Sequence, residues 1–67
     1  MSDKFRAENS HSIEGRQVNK PCTFWVSSVK KAIERFKEMR KKDPTIQEGA
    51  LFRVRDEKLI DEYIGYC

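Results

Sequence analysis

The sequence has little of what catalytic and metal-binding proteins use for their chemistry. Its 67 residues include one histidine and two cysteines, and they contain no CxxC pair, Walker motif or GxGxxG motif. The histidine, His11, lies in a polar stretch that we expect to be disordered, so no Ser-His or Cys-His pair is well positioned. We therefore predict a protein that is not an enzyme and that holds no metal or cofactor.

Long apolar runs and a cysteine framework are missing as well. No run approaches the roughly 20 residues of a membrane span, and no signal-peptide core is visible. The cysteines, Cys22 and Cys67, are too few for a disulfide framework. Free thiols in a reducing compartment are the favoured interpretation, and a Cys22–Cys67 bridge closing most of the fold is the alternative. We expect a soluble, cytoplasmic protein that does not contact membranes.

Charge is modest in total but uneven along the chain. There are 14 lysines and arginines against 11 aspartates and glutamates, a formal net charge of +3. Residues 23–42 hold seven positive and two negative side chains, whereas the last third of the chain is net negative. The positive segment favours an anionic partner. The acidic third could neutralise that segment within the chain or by pairing with a second copy.

The strongest local pattern is a long, amphipathic, basic helix. Ser27 or Ser28 is a suitable N-cap, and Asp43-Pro44 ends the helix because proline disfavours helical backbone before it. Positive residues lie on both flanks of the apolar stripe and the two glutamates lie between them. The stripe consists of Val29, Ala32, Ile33, Phe36 and Met39, at the spacing of one helix face.

The flanking segments predict a small α+β domain, a β-α-β-α unit over residues 21–67. Residues 22–27 and 50–55 alternate and are rich in β-branched and aromatic residues, which favours two strands. Residues 57–64 fit a short final helix capped by Asp56. Residues 1–20 show no useful period and are interpreted as a disordered N-terminal tail.

If the two strands are parallel neighbours, the long helix is a right-handed crossover that covers one face of the sheet. We expect Phe24, Val26, Phe52 and Val54 on the covered face. Trp25 and the alternate residues of the second strand, which are Leu51, Arg53 and Arg55, would then share the opposite face.

An alternative fold merges everything after Pro44 into one helix. The resulting strand–helix–helix order resembles ribbon-helix-helix DNA-binding dimers, in order and length only, in which paired strands enter the major groove. Gly49 and the alternation of residues 52–55 argue against one continuous helix. In either fold the ordered part is about 45 residues, a size that usually needs a staple or a partner. A homodimer or a bound partner is therefore expected.

Two classes of function compete. In the first, a small regulator binds nucleic acid through the basic helix and a Trp/Arg face, by neutralising phosphates and stacking on a base. In the second, a small inhibitor, adaptor or subunit docks on an acidic partner protein through Trp25, Leu51 and the helix. The candidate binding residues are Trp25, Lys30, Lys31, Arg35, Lys37, Lys41, Lys42, Leu51, Arg53 and Arg55.

Overall fold

The computed structural model describes residues 1–65 as an antiparallel four-stranded sheet with one helix on one of its faces. The strand order is β2-β1-β3-β4, so the strands that lie first and third in the chain form the centre of the sheet. The elements are β1 (Asp3–Ile13), β2 (Arg16–Val26), α1 (Val29–Lys42), β3 (Ile46–Arg53) and β4 (Lys58–Ile64).

The first hairpin is formed by the segment for which we predicted disorder. β1 and β2 pair over their full length, from Ile13 opposite Arg16 to Asp3 opposite Val26. Glu14 and Gly15, the two residues of the turn, both have positive φ, at 50° and 76°. Two consecutive positive φ values are typical of a type I′ turn, whose twist suits a two-residue hairpin.

The helix begins and ends where the sequence pattern placed it. The Ser28 hydroxyl accepts a hydrogen bond from the Lys31 N–H at 3.2 Å, which satisfies one of the free donors of the first turn. At the other end the Asp43 N–H donates to the Met39 carbonyl at 3.1 Å. The predicted bounds of this helix are confirmed.

The core lies between α1 and one face of the sheet. Phe5, Phe36 and Leu51 are fully buried there, and the ring of Phe5 stacks on that of Phe24 with centroids 6.2 Å apart. Val26 and Ile33 are among the partly buried residues around this cluster. Within the described chain no helix lies on the opposite face of the sheet, so the core is a single layer between α1 and the sheet.

The predicted β-α-β-α unit is wrong. Residues 1–20 are not a disordered tail, because they form β1 and the first part of β2. Residues 57–64 do not form a helix, because Lys58–Ile64 pairs with β3 as the fourth strand. All strand pairs are antiparallel, so α1 is not a crossover between parallel neighbours. The strand–helix–helix alternative is also wrong, because the segment after Pro44 forms the strands β3 and β4 and not one helix.

The two faces of β3 are the reverse of the prediction. Leu51 is fully buried against the helix, and it is Phe52 that lies on the open face, beside Arg6 of β1. Gly49 explains the choice, because a Cβ at this position would lie 3.0 Å from the Phe36 ring and 2.9 Å from the Tyr63 ring. The Phe36 and Tyr63 rings therefore fit only if Gly49 and Leu51 are the β3 residues that face the helix.

Candidate binding surfaces

The open face of the sheet carries the exposed tryptophan. Trp25 is 64% exposed and lies opposite Lys4 of β1, whose Nζ is 6.0 Å from the centroid of its ring. Its neighbour Phe24 points to the other side, into the core. Trp25 therefore points away from α1, as the strand alternation predicted.

Next to this pair lies a second contact between a cation and an aromatic ring. The Arg6 guanidinium lies 5.1 Å from the centroid of the Phe52 ring. It is also held by Glu57, which accepts two hydrogen bonds from Arg6 at 2.7 and 3.2 Å. These bonds are the main cause that lowers the pKa of Glu57. The positive charge of Arg6 is thus neutralised within the chain. The sequence pattern does not single out Lys4 and Arg6 because it does not predict strand β1, and it places Phe52 on the covered face because it predicts the opposite faces for β3.

The three candidate residues on β3 and its turn do not form a site with Trp25. Leu51 is buried in the core. Arg53 lies opposite buried Phe5 and donates two hydrogen bonds to Asp56 at 2.7 and 3.1 Å. This ion pair is the main reason why the pKa of Asp56 is lowered to about 2. Arg55 is largely exposed and lies 3.9 Å from Asp3.

The other end of the open face is acidic and concave. Glu8 and Glu62 flank Ala50 in one row across β1, β3 and β4, and Glu48 lies two residues further along β3. They line a shallow groove of about 420 Å³. Glu8 lies 3.6 Å from Arg6 Nε, whereas Glu48 and Glu62 repel a phosphate backbone, so the open face as a whole is a poor surface for nucleic acid.

The outer surface of α1 is where unpaired positive charge accumulates. Lys30, Lys37 and Lys41 make no ion pair with another of residues 1–65. Helical spacing places them on the β4 side of the helix, which is marked by Arg40, whose guanidinium lies 4.2 Å from the centroid of the Tyr63 ring. The opposite flank faces β2 and is marked by Arg35, whose guanidinium is 5.3 Å from the centroid of the Phe24 ring. That flank also holds Lys31 and Lys42.

The two glutamates between these flanks offset only part of the charge. Lys42 pairs with Glu38 at 2.9 Å, and this hydrogen bond is the main cause that lowers the pKa of Glu38. Six cations and two carboxylates are exposed on the outer surface of α1. We call this set the α1 cationic surface. Its members are Lys30, Lys31, Arg35, Lys37, Lys41 and Lys42, with Glu34 and Glu38 between them.

The only histidine is buried at the junction between the sheet and the end of the helix. His11 Nδ1 lies 3.0 Å from Thr45 Oγ1 and 3.2 Å from Asp43 Oδ2. Thr45 in turn donates its hydroxyl and its backbone N–H to Asp43 Oδ1, and these bonds are the main causes that lower the pKa of Asp43. The cluster ties β1 to the loop before β3.

Further features bear on other kinds of site. Among residues 1–65 no cluster of three or more His, Cys, Asp or Glu side chains is arranged to hold a metal ion. The helix of the described chain lacks the length and the apolar character needed to cross a membrane. Cys22 is exposed on β2, and a bridge to Cys67 lies outside the described residues.

Comparison with known protein families, with curated proteins and with solved structures finds no match for this chain.

Proposed function

We propose that this protein is a small non-enzymatic regulator that binds nucleic acid through the α1 cationic surface. One observation carries the proposal, namely that the lysines on the β4 side of α1 are exposed and unpaired within residues 1–65. The sheet arginines Arg6 and Arg53, by contrast, already hold carboxylates. A nucleic acid releases counterions when lysines replace them at its phosphates, which gives affinity without base-specific contacts.

The binding mode differs from the one that the sequence suggested. Trp25 lies on the opposite side of the sheet from α1, and the acidic groove shares its face. We therefore assign no base stacking to Trp25, and we expect its fluorescence to stay constant while α1 contacts the phosphates. A location in the cytoplasm, where the exposed Cys22 thiol stays reduced, fits this proposal.

The test is a titration of fluorescently labelled duplex DNA and RNA, followed by anisotropy at several salt concentrations. Lys30, Lys37 and Lys41 are replaced together by glutamine. The matched control replaces Arg16, Lys20 and Lys58, three exposed cations outside α1, so that the net charge is the same in both variants. We expect the helix variant to lower the slope of log affinity against log salt by roughly 3, about one for each phosphate that a lysine no longer neutralises.

Equal losses in the two variants would show that only net charge matters and would contradict a site on α1. Absence of binding at low salt would overturn the nucleic-acid proposal. An acidic partner protein for the same surface would then be the explanation to test, with the same pair of variants.

A further inference from the structure

We propose that the open face of the sheet is the interface of a twofold symmetric homodimer, in which the basic end of each copy lies over the acidic end of the other. This inference concerns the face opposite α1 and does not depend on nucleic-acid binding. The occupant of the face is a second copy of this chain.

The face is more apolar than a solvated sheet surface needs to be. Trp25 is 64% exposed, Ile64 61% and Leu59 46%, and half-buried Phe52 lies between the strands that hold them. In an antiparallel sheet with one free side, polar residues usually occupy that side. Large exposed apolar residues on one face mark a surface that another molecule covers.

The edges of the sheet are unsuited to association, which leaves the face. The outer strand β2 carries Pro21, which cannot donate to a further strand, and next to it Lys20. On the other side the outer strand β4 has seven residues, with charged side chains among them, and its pairing with β3 shifts register between Leu51 and Phe52. Proline, lysine, charge, short length and irregular pairing are the devices by which edge strands avoid new partners.

Charge along the strands identifies the occupant. At one end of the face Lys4 lies beside Trp25, and together with the Arg6–Glu57 pair it leaves that end net positive. Glu48 and Glu62 lie at the other end. A twofold axis that crosses the strands reverses their direction, so it places Lys4 of one copy over the glutamates of the other. The same contact then occurs twice, as a self-complementary interface requires.

The size of the face is compatible with such a dimer. Strands spaced about 4.8 Å apart, with roughly 3.3 Å per residue, give a flat area on the order of 600 Å² for these four strands. A standard interface takes about 800 Å² of accessible surface from each partner, and standing side chains such as Trp25 add to the flat area. Two sheets stacked in this way lie about 10 Å apart.

The experiment measures the mass of the protein in solution by sedimentation equilibrium over a range of concentrations. Wild-type protein should be dimeric, and the emission of Trp25 should shift to shorter wavelength as the dimer forms. Lys4→Glu and Glu48→Lys should each raise the dimer Kd at least about tenfold, since each places like charges opposite one another twice. Lys30→Glu and Glu34→Lys make the same charge changes on α1 and should leave the dimer Kd unchanged.

Mixing gives the decisive result. An equimolar mixture of the Lys4→Glu and Glu48→Lys chains should form a heterodimer, because one of its two interface contacts joins the two substituted residues with opposite charges and the other joins the two native ones. Recovery on mixing also shows that both variants are folded. The proposal would be overturned if the wild-type protein were a monomer at every concentration. It would also be overturned if the emission of Trp25 shifted only after a basic peptide was added, because the face would then bind a different partner. Failure of the mixture to associate would overturn the twofold arrangement.

Discussion

At position 49 a hydrogen atom is the largest side chain that the packing admits. A Cβ there would lie 2.5 Å from Asn9 Oδ1 and within about 3.0 Å of the Phe36 and Tyr63 rings, so the helix and two strands meet at one small residue. We expect Gly49→Ala to lower the free energy of unfolding by about 1–3 kcal/mol, the usual cost of overpacking a core. Denaturant unfolding measures this change.

Gly15→Asn is the matched control for this substitution. Gly15 has nothing within 4 Å of the position of a Cβ, and asparagine tolerates its positive φ. The control should stay within about 0.5 kcal/mol of wild type. An equal effect of both substitutions would contradict the close packing at Gly49.

Arg53 and Asp56 predict a specific acid sensitivity. The folded-state pKa of Asp56 is about 2, lowered from 3.8, mainly by hydrogen bonds from Arg53. Its contribution to stability is therefore fully present above about pH 4 and is lost as the pH falls through 2. We expect Asp56→Asn to unfold with a weaker dependence on pH between 4 and 2 than wild type, measured by denaturant titrations at each pH.

Arg53→Gln should reduce the same pH dependence, because it removes the partner that lowers the pKa of Asp56. If Arg53→Gln kept the wild-type dependence while Asp56→Asn did not, the ion pair would not be its cause.

Single residues show where prediction from sequence succeeds and where it stops. The alternation of β2 places Phe24 inside and Trp25 outside, and this needs only the period of a strand. Leu51 and Phe52 are adjacent apolar residues, so alternation alone fits either phase. The phase is decided by the rings that pack on Gly49 and by Arg6, which covers Phe52 on the open face. Both influences come from elements distant in the sequence.

The N-terminus of α1 is capped by the hydroxyl group of Ser28. Ser28 Oγ accepts from the Lys31 N–H, and adjacent Ser27 provides a matched comparison. We expect Ser28→Ala to lower the free energy of unfolding by about 1 kcal/mol, the typical value of an N-cap. Ser27→Ala should have a smaller effect. Unfolding followed by circular dichroism tests the pair, and a larger effect of Ser27→Ala would contradict the observed cap.

Among the elements, α1 could be predicted because its period, cap and proline stop all agree. β1 could not, because polar Asn9 and His11 occupy two of its four buried positions and hide the alternation. His11 is accommodated only by its contacts with Thr45 and Asp43, which no local pattern reveals. β4 was predicted as a helix because Leu59, Ile60, Tyr63 and Ile64 also fit a helical spacing. Pairing with β3 overrides that preference.

At the scale of the whole molecule, charge is separated between two layers. The lysines of α1 lie on one side of the sheet, and the open face lies on the other, with exposed Trp25 at one of its ends and the glutamates at the opposite end. The sequence pattern singles out the cations of α1 and Trp25, and it predicts them as parts of one site. The covalent order places them next to each other, and only the fold shows that the sheet separates them. The open face needs Lys4 and Phe52 from strands far apart in the sequence, so it could not be assembled from local patterns.

This separation leads to a prediction that joins the two proposals. A dimer formed through the open sheet faces carries its two α1 helices on opposite outer sides, so each helix can bind a different nucleic acid molecule. We expect wild-type protein to bring a donor-labelled and an acceptor-labelled duplex together, measured as energy transfer at low salt.

Lys4→Glu should bind each duplex with wild-type affinity and fail to bridge them, because α1 is intact and the dimer is weakened. The variant with glutamine at positions 30, 37 and 41 should lose binding and bridging together. Bridging by Lys4→Glu at the wild-type level would show that the sheet face does not connect the two binding surfaces.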